Sequence, residues 1–327
     1  MSRLLTLLLL CLALPAGAQT LKIATLAPDG SAWMRELRTA AAEVKAGTEG
    51  RVEVKFYPGG VMGNDAVVLR KMNLGQLQGG VLTASELSVV YPDAQIYSLP
   101  FLFSSWEDVA RARAAADPLL AEGFQKRGLH MLGVSGVGFA YLMGDKPLRN
   151  RDDMGGIKLW VPSNDLIAIR TFEAAGASPI PLPIGDVFTS LQTGLVDTVA
   201  NTPSGAVALQ WHGKIRHMAD LPLTFVVGYL VLEDRAWRRL SPADQAVLAR
   251  AFDAAATRMD ATVQRDNAGA LEAMKKQGLQ VNALDPEEAA RWRAAGDGVI
   301  SRMAGNGEVT PSLLKVVRDA VAPAGAD

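Results

Sequence analysis

Apolar and polar positions along this chain fall into two alternating rhythms. Leu21-Lys22-Ile23-Ala24-Thr25-Leu26 alternates with period two, the pattern of a strand with one buried face. Asp29-Gly30-Ser31 turns the chain, and Ser31 is placed to cap a helix over 32–46 whose Trp33, Leu37, Ala40, Ala41 and Val44 form one stripe. A second strand is predicted over 52–56. Asn64 caps a helix over 65–74 that Gly75 stops, and 81–83 is a short buried strand. Ser105-Trp106-Glu107-Asp108 carries a capping pattern and opens a helix to about residue 127. Residues 131–134 and 139–143 read as two strands around a Gly-rich turn. Beyond them come a strand at 157–161 closed by Pro162, helices at 165–175 and 187–192, and strands at 196–200 and 225–232. Strands and helices in this order predict α/β layering.

After residue 240 the pattern changes. Ser241-Pro242-Ala243-Asp244 supplies a cap, a proline at the first helical position and an acid at the third. No proline or strand pattern follows before Lys276, which predicts one helix of about 35 residues, about 50 Å long. That is longer than one small lobe needs, so the helix is expected to span two. Asp285-Pro286-Glu287-Glu288 opens the last major helix. Without a Gly/Ser linker, the lobes are expected to be joined by crossing strands. The expected division places 19–142 and about 226–255 in lobe 1, and 143–225 and about 256–327 in lobe 2.

The beginning of the chain sets the compartment. Arg3 precedes an apolar run over 4–14, and Pro15-Ala16-Gly17-Ala18 closes it with small residues. This predicts a cleavable signal peptide over 1–18 and a periplasmic protein without stable membrane insertion. The apolar run is only about half the roughly 20 residues that a spanning helix needs. Cys11, the chain's single cysteine, follows Leu8-Leu9-Leu10 rather than the small residues of a lipid-attachment signal, and is expected to be an apolar filler. The mature chain therefore relies on its core rather than on disulfides. With 33 Lys and Arg against 34 Asp and Glu, the net charge of -1 matches neither nucleic acid nor an anionic membrane.

Chemistry-bearing motifs are few. The three histidines are His130, His212 and His217. His212 and His217 have no third ligand in sight. Gly133-Val134-Ser135-Gly136-Val137-Gly138 approaches a nucleophile elbow, but its second glycine falls one position early, and it fails the dinucleotide fingerprint. Asp152-Asp153 and Glu287-Glu288 sit at helix starts, where acids complement the dipole. The expectation is no catalytic residue, no metal, no cofactor and no enzymatic activity.

Several segments in order resemble the extracytoplasmic solute receptors of TRAP (tripartite ATP-independent periplasmic) transporters, of the DctP type. They include Phe56-Tyr57-Pro58-Gly59-Gly60-Val61-Met62-Gly63, Tyr91-Pro92-Asp93 with Leu99-Pro100-Phe101-Leu102-Phe103, and Asp152-Asp153-Met154-Gly155-Gly156-Ile157-Lys158-Leu159-Trp160-Val161-Pro162. Gly176-Ala177-Ser178-Pro179-Ile180-Pro181 and Leu191-Gln192-Thr193-Gly194-Leu195-Val196-Asp197 continue the match. The resemblance implies a two-lobed α/β periplasmic binding fold with crossing strands and a long helix spanning both lobes. It also implies a small solute bound in the cleft, hinge closure, and delivery to the transporter's membrane subunits.

One departure shapes the expected site. Trp160 stands where the family carries an arginine that pairs with a substrate carboxylate, and an indole offers only an apolar face and one N–H. The stretch Gly138-Phe139-Ala140-Tyr141 also lacks a cation. The expected solute is therefore more apolar, aromatic or amphipathic than a dicarboxylate. The expected contacts are Trp160, Phe139, Tyr141, Trp33, Ile184, Ser163 and Asn201. Alternatives stay open: Trp160 packs between lobes while Arg170 holds an organic acid, Trp33 is a core residue, Asn201 caps a loop. A sensory receptor that presents a bound solute fits the same residues.

Overall fold

The computed structural model describes residues 18–322, so Cys11 and nearly all of the predicted signal peptide lie outside the described residues. The chain first lays down β1 (Gln19–Thr25), α1 (Ala32–Gly47), β2 (Val52–Tyr57), α2 (Asp65–Asn73), β3 (Gly79–Thr83), the single turn α3 (Ala84–Leu87), α4 (Trp106–Gln125) and β4 (Leu129–Gly144). It continues with β5 (Leu159–Pro162), α5 (Leu166–Ala174), β6 (Ile180–Leu182), α6 (Val187–Thr193), β7 (Thr198–Asn201), α7 (Pro203–Ala208), β8 (His217–Ala219) and β9 (Thr224–Glu233). It ends with α8 (Asp234–Trp237), α9 (Pro242–Lys276), β10 (Gln280–Asn282), α10 (Pro286–Gly305) and α11 (Pro311–Val321). The predicted caps form: Ser31 accepts from the Met34 N–H, Asn64 from the Val67 N–H, and Ser105 and Asp108 close a capping box.

The strands run β2-β1-β3-β9-β4-β7-β5-β6, with β8 on the end of β4 and β10 beside β8. The lobe 1 half is parallel through β2, β1 and β3, then antiparallel to β9. The lobe 2 half is parallel through β7, β5 and β6. β4 belongs to both halves: it pairs with β9 from Leu129 to Ala140 and with β7 from Tyr141 to Gly144.

Here the structure corrects the sequence reading. The two expected strands at 131–134 and 139–143 are one 16-residue strand, and the glycines between them bend it without turning it. Register shifts fall at Met131/Gly133 and Gly136/Gly138. Gly138 has φ +123°, and a Cβ there would lie 2.6 Å from Nδ2 of Asn267 on α9. A Cβ at Gly136 would lie 2.6 Å from the Phe225 ring. The glycines thus admit a sharp bend and a close helix.

Polar groups hold the bend. Asp260 on α9 accepts from the Gly136 N–H and from Ser135 Oγ, both at 2.8 Å, and Asn267 donates to the Val137 carbonyl at 2.9 Å. Arg113 pairs with Asp260 and donates to the Val134 carbonyl at 2.6 Å. Asn267 Oδ1 also accepts from Ser204 at the start of α7, so one side chain ties the crossing strand to lobe 2.

The α9 helix has 35 residues and spans both lobes as expected. Leu248, Phe252 and Ala255 are buried with Leu37 and Leu132 in lobe 1, and Met274 is buried with Trp211 and Val199 in lobe 2. The C-terminal helices pack against both halves of the molecule. Leu313, Leu314 and Val317 of α11 pack with Leu120 and Phe124 of α4 in the lobe 1 core, and α10 carries Trp292 in lobe 2 but Ile300 and Met303 in lobe 1. An amphipathic stripe announces that a helix will be buried, but not which lobe will cover it.

Candidate functional site

Between the lobes lies a cavity of about 90 Å³ at the carboxyl ends of four strands. Leu26 follows β1, Thr83 ends β3, Pro162 ends β5 and Pro183 follows β6. In open α/β sheets this is the edge where strands end, helices begin and ligands bind.

The lobe 1 wall is built on two helix starts. Asn64 and Asp65 open α2, and Thr83, Ser85 and Glu86 form the start of α3. Asp65 is only 7% exposed. Its Oδ2 accepts from the Thr83 N–H and hydroxyl, both at 2.9 Å, while its Oδ1 is buried without a hydrogen-bond partner. Burial pushes the Asp65 carboxyl up to about 6; the Thr83 hydrogen bonds pull against this shift and the charge of Glu86 adds to it.

The lobe 2 wall is uncharged: Pro162, Ser163 and Asn164 leave β5, and Pro183 and Ile184 leave β6. One hydrogen bond crosses the cleft, from Asn164 Nδ2 to Glu86 Oε2 at 2.8 Å. Among the described residues bordering the cavity there is no lysine or arginine.

Of the residues singled out from sequence, Ser163 and Ile184 border this cavity. Trp160 does not. It is 2% exposed, donates Nε1–H to the Leu182 carbonyl at 2.9 Å and stands edge-on to Trp211 at 5.1 Å. Strand alternation explains its position, because Leu159 and Val161 enter one lobe 2 core cluster while Trp160 enters the other. Phe139 is packed edge-on between Trp106 and Phe225 at 5.7 and 5.2 Å.

Trp33 is half-buried over Gly228, where a Cβ would lie 2.8 Å from its ring. Tyr141 and Asn201 face each other across β4 and β7, and Asn201 Oδ1 accepts from the Thr202 N–H at 2.7 Å. Burial first, and then the charge of Asp220, raises the Tyr141 hydroxyl above the usual phenol range. Arg170, the alternative cation, pairs with Glu308 and does not border the cavity.

Asp65, Glu86 and Asn164 were not singled out. Asp65 reads as an ordinary first-turn acid behind a good cap, and its pairing with Thr83 spans 18 positions. The contact of Asn164 with Glu86 spans 78 and leaves no local pattern. Among the described residues no group of three His, Cys, Asp or Glu is placed to hold a metal ion, and no helix is long and apolar enough to cross a membrane.

The comparisons bear on this geometry. The C4-dicarboxylate-binding periplasmic protein DctP of Rhodobacter capsulatus is 28% identical over 302 residues, covering 88% of this chain and 87% of its own. A TRAP periplasmic solute-binding protein of Desulfovibrio salexigens, solved with bound orotic acid, superposes with a TM-score of 0.85 at 24% identity, covering 93% of this chain and 98% of its own. One from Sulfitobacter sp. NAS-14.1, solved with β-D-galacturonate, gives 0.85 at 20% identity, covering 92% and 99%. These structures share the two-lobed fold. The model of the bacterial extracellular solute-binding proteins, family 7 (DctP), matches residues 23–306. This chain belongs to that family, the periplasmic solute receptors of TRAP transport.

Proposed function

We propose that this chain is exported to the periplasm through its signal peptide and closes its two lobes over one small solute. It then delivers that solute to the two membrane subunits of a TRAP-type transporter and performs no chemistry on it. The solute is amphipathic and is not a small dicarboxylate. Ser163 and Ile184 touch it from lobe 2, and Tyr141 and Asn201 close the hinge side. Trp160, Phe139 and Trp33 act behind that surface by packing.

The carrying observation is the lining of the interlobe cavity. It combines the apolar Leu26, Pro162, Pro183 and Ile184 with two acids and no lysine or arginine. Stripping water from a carboxylate costs several kcal/mol unless charge-assisted hydrogen bonds replace it. Trp160, which stands where the resemblance implies an arginine, is buried, and Arg170 is paired with Glu308.

Native mass spectrometry of purified periplasmic protein should reveal a co-purified solute. Calorimetry with succinate and malate should give no heat of binding. Micromolar binding of either acid would refute the solute assignment.

A further inference from the structure

Closing the cleft encloses an uncompensated negative charge. Asp65 stands at the wall with one oxygen held by Thr83 and the other buried and unpartnered. Glu86 borders the same cavity, and among the described residues its partner across the cleft is the uncharged amide of Asn164. We propose that Asp65 is the anionic subsite for a positively charged N–H group, an ammonium or amidinium, on the solute; this rests on the receptor reading above.

The chemistry follows from what each kind of donor would leave behind. A lone acceptor nine-tenths buried needs a donor, because an unmatched buried polar group destabilises the state that contains it. A hydroxyl would supply the donor but leave two carboxylates on one wall of a drying cavity. An N–H cation supplies the donor and cancels the charge. An anionic pole on the solute would be repelled by this wall and is best placed toward the uncharged lobe 2 side.

The lysine nearest in sequence on that helix does not serve Asp65. Lys71, on the same helix as Asp65, donates to the Met62 carbonyl at 2.8 Å. The charged groups that face Asp65 reduce to Glu86 from α3, since α2 contributes only the amide of Asn64 and lobe 2 contributes Ser163 and Asn164. Burial has moved the Asp65 carboxyl up to about 6, so it is ionised at neutral pH while poorly solvated, the condition in which a cation gains most.

The test uses the full mature chain and small probes: a primary diamine, an amino sugar and a cyclic amidine. Each is measured beside its N-permethylated counterpart, which keeps the charge without the N–H, and its hydroxyl counterpart, which keeps a donor without the charge. Glucuronate and succinate complete the set. Thermal shift finds binders, calorimetry measures them and small-angle scattering reports closure.

At least one N–H cation should bind, with both counterparts about tenfold or more weaker. Asp65→Asn should weaken it by about tenfold to a hundredfold, the range of a charged hydrogen bond, while its unfolding midpoint stays at or above the parent's. Lowering the pH from 7 to 5 should weaken binding about tenfold in the parent, as Asp65 takes a proton, and leave Asp65→Asn unchanged. Equal affinity for a hydroxyl counterpart, or an unaltered Asp65→Asn, overturns the proposal. An acid that binds best and closes the lobes overturns it while leaving the receptor reading intact. If no probe binds or changes the scattering, both fall.

Discussion

The two walls of the cleft are made differently from similar parts. Both stand where parallel strands end. The lobe 2 wall is assembled from prolines, small polar groups and Ile184, while its large aromatic, Trp160, is withdrawn into the core behind it with its N–H satisfied. The lobe 1 wall keeps a buried acid half-satisfied. One wall carries no charge and offers shape and neutral donors. The other holds an unmatched charge and offers specificity, at the expense of its own stability.

The comparison is broken most forcefully at Trp160. Trp160→Ala empties the space between Trp211 and Leu182 and should destabilise folding by about 3–5 kcal/mol, with an unchanged dependence on denaturant. Urea unfolding reads it directly. A loss below about 1 kcal/mol would show that the indole is not a packing element and would return it to the list of solute contacts.

Asp65 should respond in the opposite direction. Folding raises its carboxyl from 3.8 to about 6, so the folded state holds the proton more tightly than the unfolded state does. The associated stability is complete below the ordinary carboxylate range and is lost as pH rises through about 6. Removing the charge with Asp65→Asn should therefore stabilise the unliganded protein by up to about 3 kcal/mol above pH 7 and have little effect near pH 3.5. Chemical unfolding at the two pH values checks this. Equal effects at both would mean that the carboxyl is well solvated.

The bond between the walls carries the smallest effect. Asn164→Ala removes the donor to Glu86 and should weaken solute binding about threefold to tenfold, with scattering shifted toward the open form. An unchanged affinity would show that water serves Glu86 equally well.

Legibility followed the range of the interactions. The 35-residue helix was readable to its last residue, because a cap, a first-turn proline and the lack of any breaker are local signals. The caps at Ser31, Asn64 and Ser105 were readable for the same reason. The crossing strand was not, since glycines that mark turns in most settings here admit Asn267 and Phe225 at close approach. Of the residues that the sequence singles out, Ser163 and Ile184 border the cavity. The motif containing Trp160 was visible, but strand parity decides which face it occupies, and that parity depends on β6 and β7 beside it. Asp65 and Glu86 become a site only when β3 brings them together.

The path of β9 has a consequence for how the molecule comes into being. Gly79–Thr83 of β3 pairs with Gly228–Leu232 of β9, so the lobe begun first is completed by chain that follows most of the other lobe. The α11 helix then returns to seal α4. Neither half of the sheet is built from one contiguous stretch of sequence. A chain made from its N-terminus holds β3 with an open edge until nearly 150 more residues have followed. Closure of such distant pairs is slow, and an unpaired edge invites wrong partners. The order of synthesis therefore sets an interval in which that edge of β3 has no partner within its own chain.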